Sequence, residues 1–393
     1  VAEGLLPLGA RRHRYRGGRP AAAAGVRGLS PADGLERIGF LHLGRPESGV
    51  RRYGQLIADE AADREGLTVL QADAGRIDEQ AEALADVGRQ LGDAQVVLLQ
   101  WNRRGWGSRG RSLARLMRFR REYRGALVAT LHDVFDRRGV RQRWLDPDAW
   151  GLRSLGRTAD RLVVHSQVEV ERLRGVVPPE RLRVVPHFVE RRTPVLSPEE
   201  ARARLGLADR RIVTLLGFVY GRKGHRYAVE AVPYLPEDVV MVYAGGPVAG
   251  RSYVHDLALS KASELGLGER FRITGYLSDE ELETWIAATH LAILPFTDLS
   301  ASGSLSSWIA AGKPMLASDL PGFREYARRV PGALTLFGPP EPVPLAKAIG
   351  ELLASPLPDR DERVLELGRE LSMERTVERY LDVAQEALAA HTA

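Results

Sequence analysis

The chain has 393 residues, 44% of them hydrophobic, a net charge of +5 and no cysteine. That length suits two domains of about 150–200 residues rather than one core, and the missing thiols exclude disulfides and thiolate chemistry, which fits a cytoplasmic chain. The positive excess, mostly arginine, admits phosphate-bearing ligands, anionic lipid or nucleic acid without selecting one, and no apolar run approaches the ~18 residues of a membrane span.

Residues 1–36 are rich in Arg, Ala, Gly and Pro and carry no periodicity. They read as a disordered basic tail, with a targeting or nucleic-acid arm as the alternative. From residue 37 the pattern changes. "RIGFLHLG", "LTVLQAD", "AQVVLLQ", "ALVATLHD", "RLVVHS" and "RLRVVPHF" are apolar runs of strand length, separated by helical stretches. After a linker the alternation restarts with "RIVTLLGFV", "VVMVYAGG", "FRITGY", "LAILPF" and "PMLASD". Apolar strands alternating with helices predict parallel sheets covered on both faces. The expected fold is α/β, with two Rossmann-like doubly wound domains, 37–190 and 191–372, and a final helix over 373–393. Val377, Tyr380, Leu381 and Ala384 mark one face of that helix.

Ligands of open α/β sheets bind at the carboxyl ends of the strands, so the polar residues there matter most. "GFVYGRKGH" places Arg222 and Lys223 between two glycines before a helix, a setting suited to a diphosphate or simply a solvated basic turn. Ser302, Gly303 and Ser304 open another helix, whose free amides either bind phosphate or are capped by serine. Gly275, Tyr276 and Leu277 end a strand, and Ser278 with Glu281 forms a capping box, as Ser166 with Glu169 does. His132-Asp133 and His165-Ser166 end two strands of the first half, and "ESGVRRYG" adds a glycine loop with Arg51 and Arg52 at a helix start. No HxH or HxxxH pair suggests a metal, and no GxSxG elbow suggests a serine hydrolase.

The stretch from "GFVYGRKGH" through "YAGG", "FRITGYLSDEELETWI" and "SGSLSSWIAAGKPMLASD" resembles the donor domain of the retaining glycosyltransferases of family 4, the glycosyl transferases group 1 of GT-B fold. The first half is similar more loosely, through its glycine loop, "TLHD", "VVHS" and "VVPHF". The resemblance implies two domains facing a cleft, a nucleotide-diphosphate sugar in the second and an acceptor in the first, with no cofactor and no metal. It implies that Lys223, aided by Arg222, neutralises the diphosphate. It places Gly275, Tyr276 and Leu277 at the base, Ser302, Gly303 and Ser304 at the phosphates, Gly49 on the amino-terminal glycine loop, and His132 near the reacting carbon. It also has the final helix cross back onto the first domain.

Three positions depart from the family pattern. Phe218 stands where an arginine is common, and Leu299 and Ser307 where two glutamates are usual. Asp298 is the nearest substitute for the first acid, Ser307 retains a ribose hydrogen bond, and Glu325 matches a later acidic position. The implied activity is transfer of a hexose-type sugar to a glycan, lipid-linked or small-molecule acceptor, in polysaccharide biosynthesis or a related path. A non-catalytic nucleotide-sugar-binding or partner subunit is the alternative. The arginine-rich stretch 103–125, with Leu113, Leu116, Met117 and Tyr123 as an apolar stripe, is either a sheet-covering helix or a patch for the inner face of an anionic membrane. No nucleic-acid module accompanies it.

Overall fold

The computed structural model describes residues 34–44, 48–75, 83–102, 106, 111–132, 134, 147–192, 195–219, 221–247, 252–299 and 302–393. Residues 1–33 of the tail expected over 1–36, with Arg103, Arg104, Arg109, Asp133, Ser300 and Ala301, lie outside them, whereas Leu35 of that stretch is buried in the core.

The first sheet takes β1 (Arg37–His42), β2 (Thr68–Asp73), β3 (Val96–Trp101), β4 (Ala126–Leu131), β5 (Arg161–Val164) and β6 (Leu182–Val184) in the order β2-β1-β3-β4-β5-β6. Every pairing is parallel. Its helices are α1 (Gly49–Ala62), α2 (Ala83–Gln90), α3 (Arg111–Glu122), α4 (Pro147–Thr158) and α5 (Gln167–Leu173). Neighbouring residues of β3 point to opposite cores: Val97 and Leu99 join one apolar cluster, Val96 and Leu98 the other. This is why these strands read as continuous apolar runs.

The second domain opens with α6 (Pro198–Arg204), started by the Ser197–Glu200 capping box. Strands β7 (Arg211–Leu216), β8 (Val239–Ala244), β9 (Phe271–Ile273), β10 (Leu291–Leu294), β11 (Met315–Ser318) and β12 (Thr335–Phe337) follow. Their order is β12-β11-β10-β7-β8-β9, again all parallel. The helices are α7 (His225–Ala231), α8 (Tyr253–Glu264), α9 (Asp279–Ala288), α10 (Gly303–Ala311), α11 (Pro321–Arg329), α12 (Pro342–Leu353) and α13 (Glu362–Glu370). The chain winds outward from β7 to β9, then returns to the other side of β7 at β10. The switch point of this sheet therefore lies between β7 and β10, where a crevice opens at the carboxyl ends.

The last helix, α14 (Met373–Thr392), packs on the first domain. Val377, Tyr380, Val383, Ala384 and Ala387 enter the cluster that holds Val96 and Val128. Each large apolar side chain so buried contributes roughly 1.5–3 kcal/mol. The Tyr380 hydroxyl meets Tyr53 Oη at 3.2 Å and Thr130 Oγ1 at 3.0 Å, which satisfies it in the core.

Three local expectations change. In α3, Leu116 and Phe119 are buried with Tyr123, whereas Met117 is 46% exposed: the helical period turns position 119 inward and 117 out. Glu169 reaches back to the His165 amide at 2.6 Å while its own amide donates to Ser166 Oγ at 3.2 Å, so the expected box is shifted by one residue. The strand expected over 181–188 stops at Val184, because Pro186 has no N–H to continue a ladder.

The two domains are clasped by carboxylates. Glu325 of α11 accepts from the Gln167 and Val168 amides at 2.9 and 3.0 Å, capping α5 of the other domain. Glu325→Ala is expected to cost about 1 kcal/mol, the usual worth of a cap. Urea denaturation measures this, and an unchanged midpoint would show that the clasp carries no stability.

Candidate functional site

A cleft of about 640 Å³ lies at the β7/β10 switch point. Its wall combines Gly217, Phe218, Arg222 and Lys223 after β7, Gly245 and Gly246 after β8, Tyr276 and Leu277 after β9, and Asp298, Leu299, Ser302, Gly303, Ser304 and Ser307 after β10. Arg52, Glu190 and Arg192 line it from the first domain and the linker.

Lys223 sits at the bottom. Its Nζ donates to the Leu216 carbonyl at 2.8 Å and to Ser304 Oγ at 3.3 Å, and lies 5.6 Å from the centre of the Phe296 ring. Ser304 Oγ is 3.1 Å from Ser302 Oγ, which in turn accepts from the Leu305 amide at 3.3 Å and caps α10. A buried ammonium, two hydroxyls and a helix N-terminus thus converge on one point. Gly217 makes room for it: its φ is +103°, and a Cβ there would collide with Lys223 Nζ. Gly49, Gly275 and Gly303 each face open space where a side chain would begin.

Burial lowers the Lys223 pKa from 10.5 to about 8. The unfolded chain holds that proton more tightly, so stability from this group rises as pH climbs from about 8 towards 10.5. A bound diphosphate does the opposite, because it favours the ammonium. Anion affinity is therefore expected to be flat below pH 8 and to fall about tenfold per unit above it. Calorimetric titration of a nucleoside diphosphate at pH 7 and 9.5, with proton uptake at the higher pH, checks this.

Arg222 and Asp298 are 3.4 Å apart, and Arg172 of α5 donates to Asp298 Oδ1 at 2.9 Å and to the Val134 carbonyl at 2.9 Å. Asp298 thereby ties the loop after β10 to the first domain. The Thr297 amide donates to the Arg222 carbonyl at 2.9 Å, joining the two loops of the switch point. Leu299 turns its side chain onto Gly322, with Cδ2 2.8 Å from where a Cβ would stand. Ser307 Oγ donates to the Gly303 carbonyl at 3.0 Å and accepts from Arg192 at 3.2 Å. Phe218 and Tyr276, both exposed, meet edge to face at the rim, with centroids 6.2 Å apart.

His132 is placed differently. It is 9% exposed and its Nε2 is 2.7 Å from Gln100 Oε1. It packs against Tyr53 and His165 in an aromatic cluster and is not on the described wall of the cleft. Burial, and then His165 and His187, hold its pKa well below 6.5, so the ring is neutral. Glu325 caps α5 rather than facing the cleft. Arg52, named at its helix start, pairs with Glu190 (bidentate, 2.7 Å), and Arg192 pairs with Glu283; Glu190 and Arg192 are the cleft residues that the sequence reading missed. Glu190 and Arg192 come from outside the donor motifs, and only tertiary folding brings them there.

Two parallel-sheet domains facing a phosphate-suited cleft at the switch point define the GT-B glycosyltransferase architecture. Residues 209–355 match the family of glycosyl transferases group 1, and residues 100–192 match Glycosyltransferase Family 4. Parts of both domains thus match glycosyltransferase families. It is 28% identical over 246 residues to a D-inositol 3-phosphate glycosyltransferase of Thermobispora bispora, covering 58% of this chain and 57% of the relative. It is 27% identical over 239 residues to a 2-deoxystreptamine glucosyltransferase of Streptomyces kanamyceticus, again covering 58% and 57%. The chain thus spans somewhat over half the length of these curated relatives. The fold matches that of Anabaena HepE in complex with UDP, with a TM-score of 0.70, 15% identity, and 88% and 99% of the two chains covered. A glycosyltransferase from Rickettsia africae gives 0.68 at 16% identity, covering 90% and 98%.

Proposed function

We propose that the chain transfers a hexose-type sugar from a nucleotide-diphosphate sugar to a hydroxyl acceptor, with retention of configuration. The observation that carries this reading is the buried Lys223 ammonium beside Ser304 and the start of α10, at a strand-end cleft walled by glycines. Such a site favours the charge that develops on a departing diphosphate. The sugar C1–O bond to phosphate breaks, and the acceptor oxygen bonds to C1 on the same face. Its proton passes to a phosphate oxygen, which leaves the protein no base to supply. Lys223, Arg222 and the Ser302–Ser304 amides stabilise the leaving group without a metal. His132, off the cleft wall and bonded to Gln100, is assigned no contact with the donor. Closure of the domains around the cleft limits hydrolysis.

The two relatives' names specify cyclitol acceptors, an inositol phosphate and a deoxystreptamine. Free cyclitols therefore belong in the first acceptor panel beside glycans and lipid-linked sugars. The exposed Arg111, Arg118, Arg121 and Arg124 around Met117 suit a peripheral contact with anionic membrane from the cytoplasmic side. The test is nucleoside diphosphate release that depends on acceptor, with the product anomer read by NMR. An inverted anomer would overturn the stereochemical part. The second reading, a nucleotide-sugar-binding subunit without turnover, rests on Leu299 and Ser307 at the usual acidic positions, and the similarity to named glycosyltransferases weighs against it. Tight binding with no release under any acceptor would establish it.

A further inference from the structure

Arg192 belongs to the linker, yet its guanidinium is part of the cleft wall. One nitrogen pairs with Glu283 of α9, and the other donates to Ser307 of α10 at 3.2 Å. Both carboxylate and guanidinium are 24% exposed, so the pair is held inside the wall. Ser307 lies one helical turn along α10 from Gly303 and Ser304, where the phosphate-suited groups converge. Leu282, next to Glu283, lines the same cleft with Leu277 and Tyr276. Arg192 therefore stands between the phosphate end and the aromatic end, about one turn of helix, or roughly 5 Å, from the phosphate contacts. That step matches a pentose. A guanidinium has five N–H donors in a rigid plane, and Glu283 fixes that plane without using them all.

We propose that Arg192 reads the pentose of the bound nucleotide by donating to its hydroxyl oxygens, in a wall where Ser307 offers no carboxylate to accept from them. The inference rests on the donor-site reading above. It makes this cleft a donor-lined ribose site, anchored on the linker residue Arg192.

The test compares UDP, GDP and ADP with their 2′-deoxy and 3′-deoxy analogues, by calorimetry, in the wild type, Arg192→Met and Lys223→Ala. The wild type is expected to favour one ribonucleotide over a deoxy analogue by about tenfold, the worth of one hydrogen bond to a charged donor. In Arg192→Met the gap closes to within about twofold, while binding stays dependent on Lys223. Should Arg192→Met fail to fold, Arg192→Lys serves, and the gap narrows several-fold because the ammonium lacks the planar fork. A gap unchanged in the folded variant overturns the role of Arg192 alone. Nucleotide binding indifferent to Lys223→Ala overturns the donor site and this inference together.

Discussion

Lys223→Ala is expected to weaken nucleoside diphosphate binding by roughly 30- to 700-fold, equivalent to about 2–4 kcal/mol for truncating one partner of a desolvated charge contact. The free protein already bears the cost of burying this ammonium, which is why its pKa falls to about 8. The anion then meets a cation stripped of water, where the attraction is least screened. Truncation also leaves the Leu216 carbonyl and Ser304 Oγ without this donor. Lys223→Met keeps most of the volume and separates packing from charge: it should bind as poorly as alanine while melting closer to the wild type. The loss of affinity above pH 8 should vanish in both variants. A dissociation constant within threefold of the wild type would place the phosphates elsewhere.

Gly224→Ala is expected to destabilise the chain by about 2–5 kcal/mol, combining left-handed strain with overpacking. Gly224 begins α7 at φ +74°, and a Cβ there would be driven into the Pro295 carbonyl oxygen. The clash joins the two loops of the switch point, since Pro295 leads directly into Phe296 and the loop that bears Asp298. Gly221→Ala, three residues earlier, is the control: a Cβ there meets nothing within 4 Å. It should cost less than about 0.5 kcal/mol, the range of ordinary surface changes. Chemical denaturation of both decides the matter, and equal losses would contradict the close approach of Gly224 to Pro295.

Much of this architecture was legible because parallel strands buried on both faces are written as contiguous apolar runs. β3, β4, β8 and β10 are buried along their whole length. Lys223 and the Ser302–Ser304 turn were legible for a related reason: each lies beside glycine at a strand end, where the fold puts ligands. The Ser278–Glu281 box is a local pattern and forms as one. What was not legible depends on contacts between residues far apart. Arg192 reaches Ser307 across 115 positions of sequence, and Arg172 reaches Asp298 across 126. Glu325 pattern-matched a donor position, yet its carboxylate is taken by the amides of α5. His132 sits at a strand end as expected, but its neighbours in space, Tyr53, Gln100 and His165, come from three other elements and draw it into the core.

The measurement that tests the central claim most directly is the thermal unfolding of the full chain with UDP-, GDP- and ADP-sugars, beside Lys223→Ala. At about 100 times the dissociation constant a ligand adds about 2.7 kcal/mol. One nucleotide class is therefore expected to raise the midpoint by several degrees in the wild type and by at most about a third as much in the variant. If no nucleotide sugar shifts the wild type at millimolar concentration, or if the variant shifts equally, the cleft at the β7/β10 switch point is not a donor site.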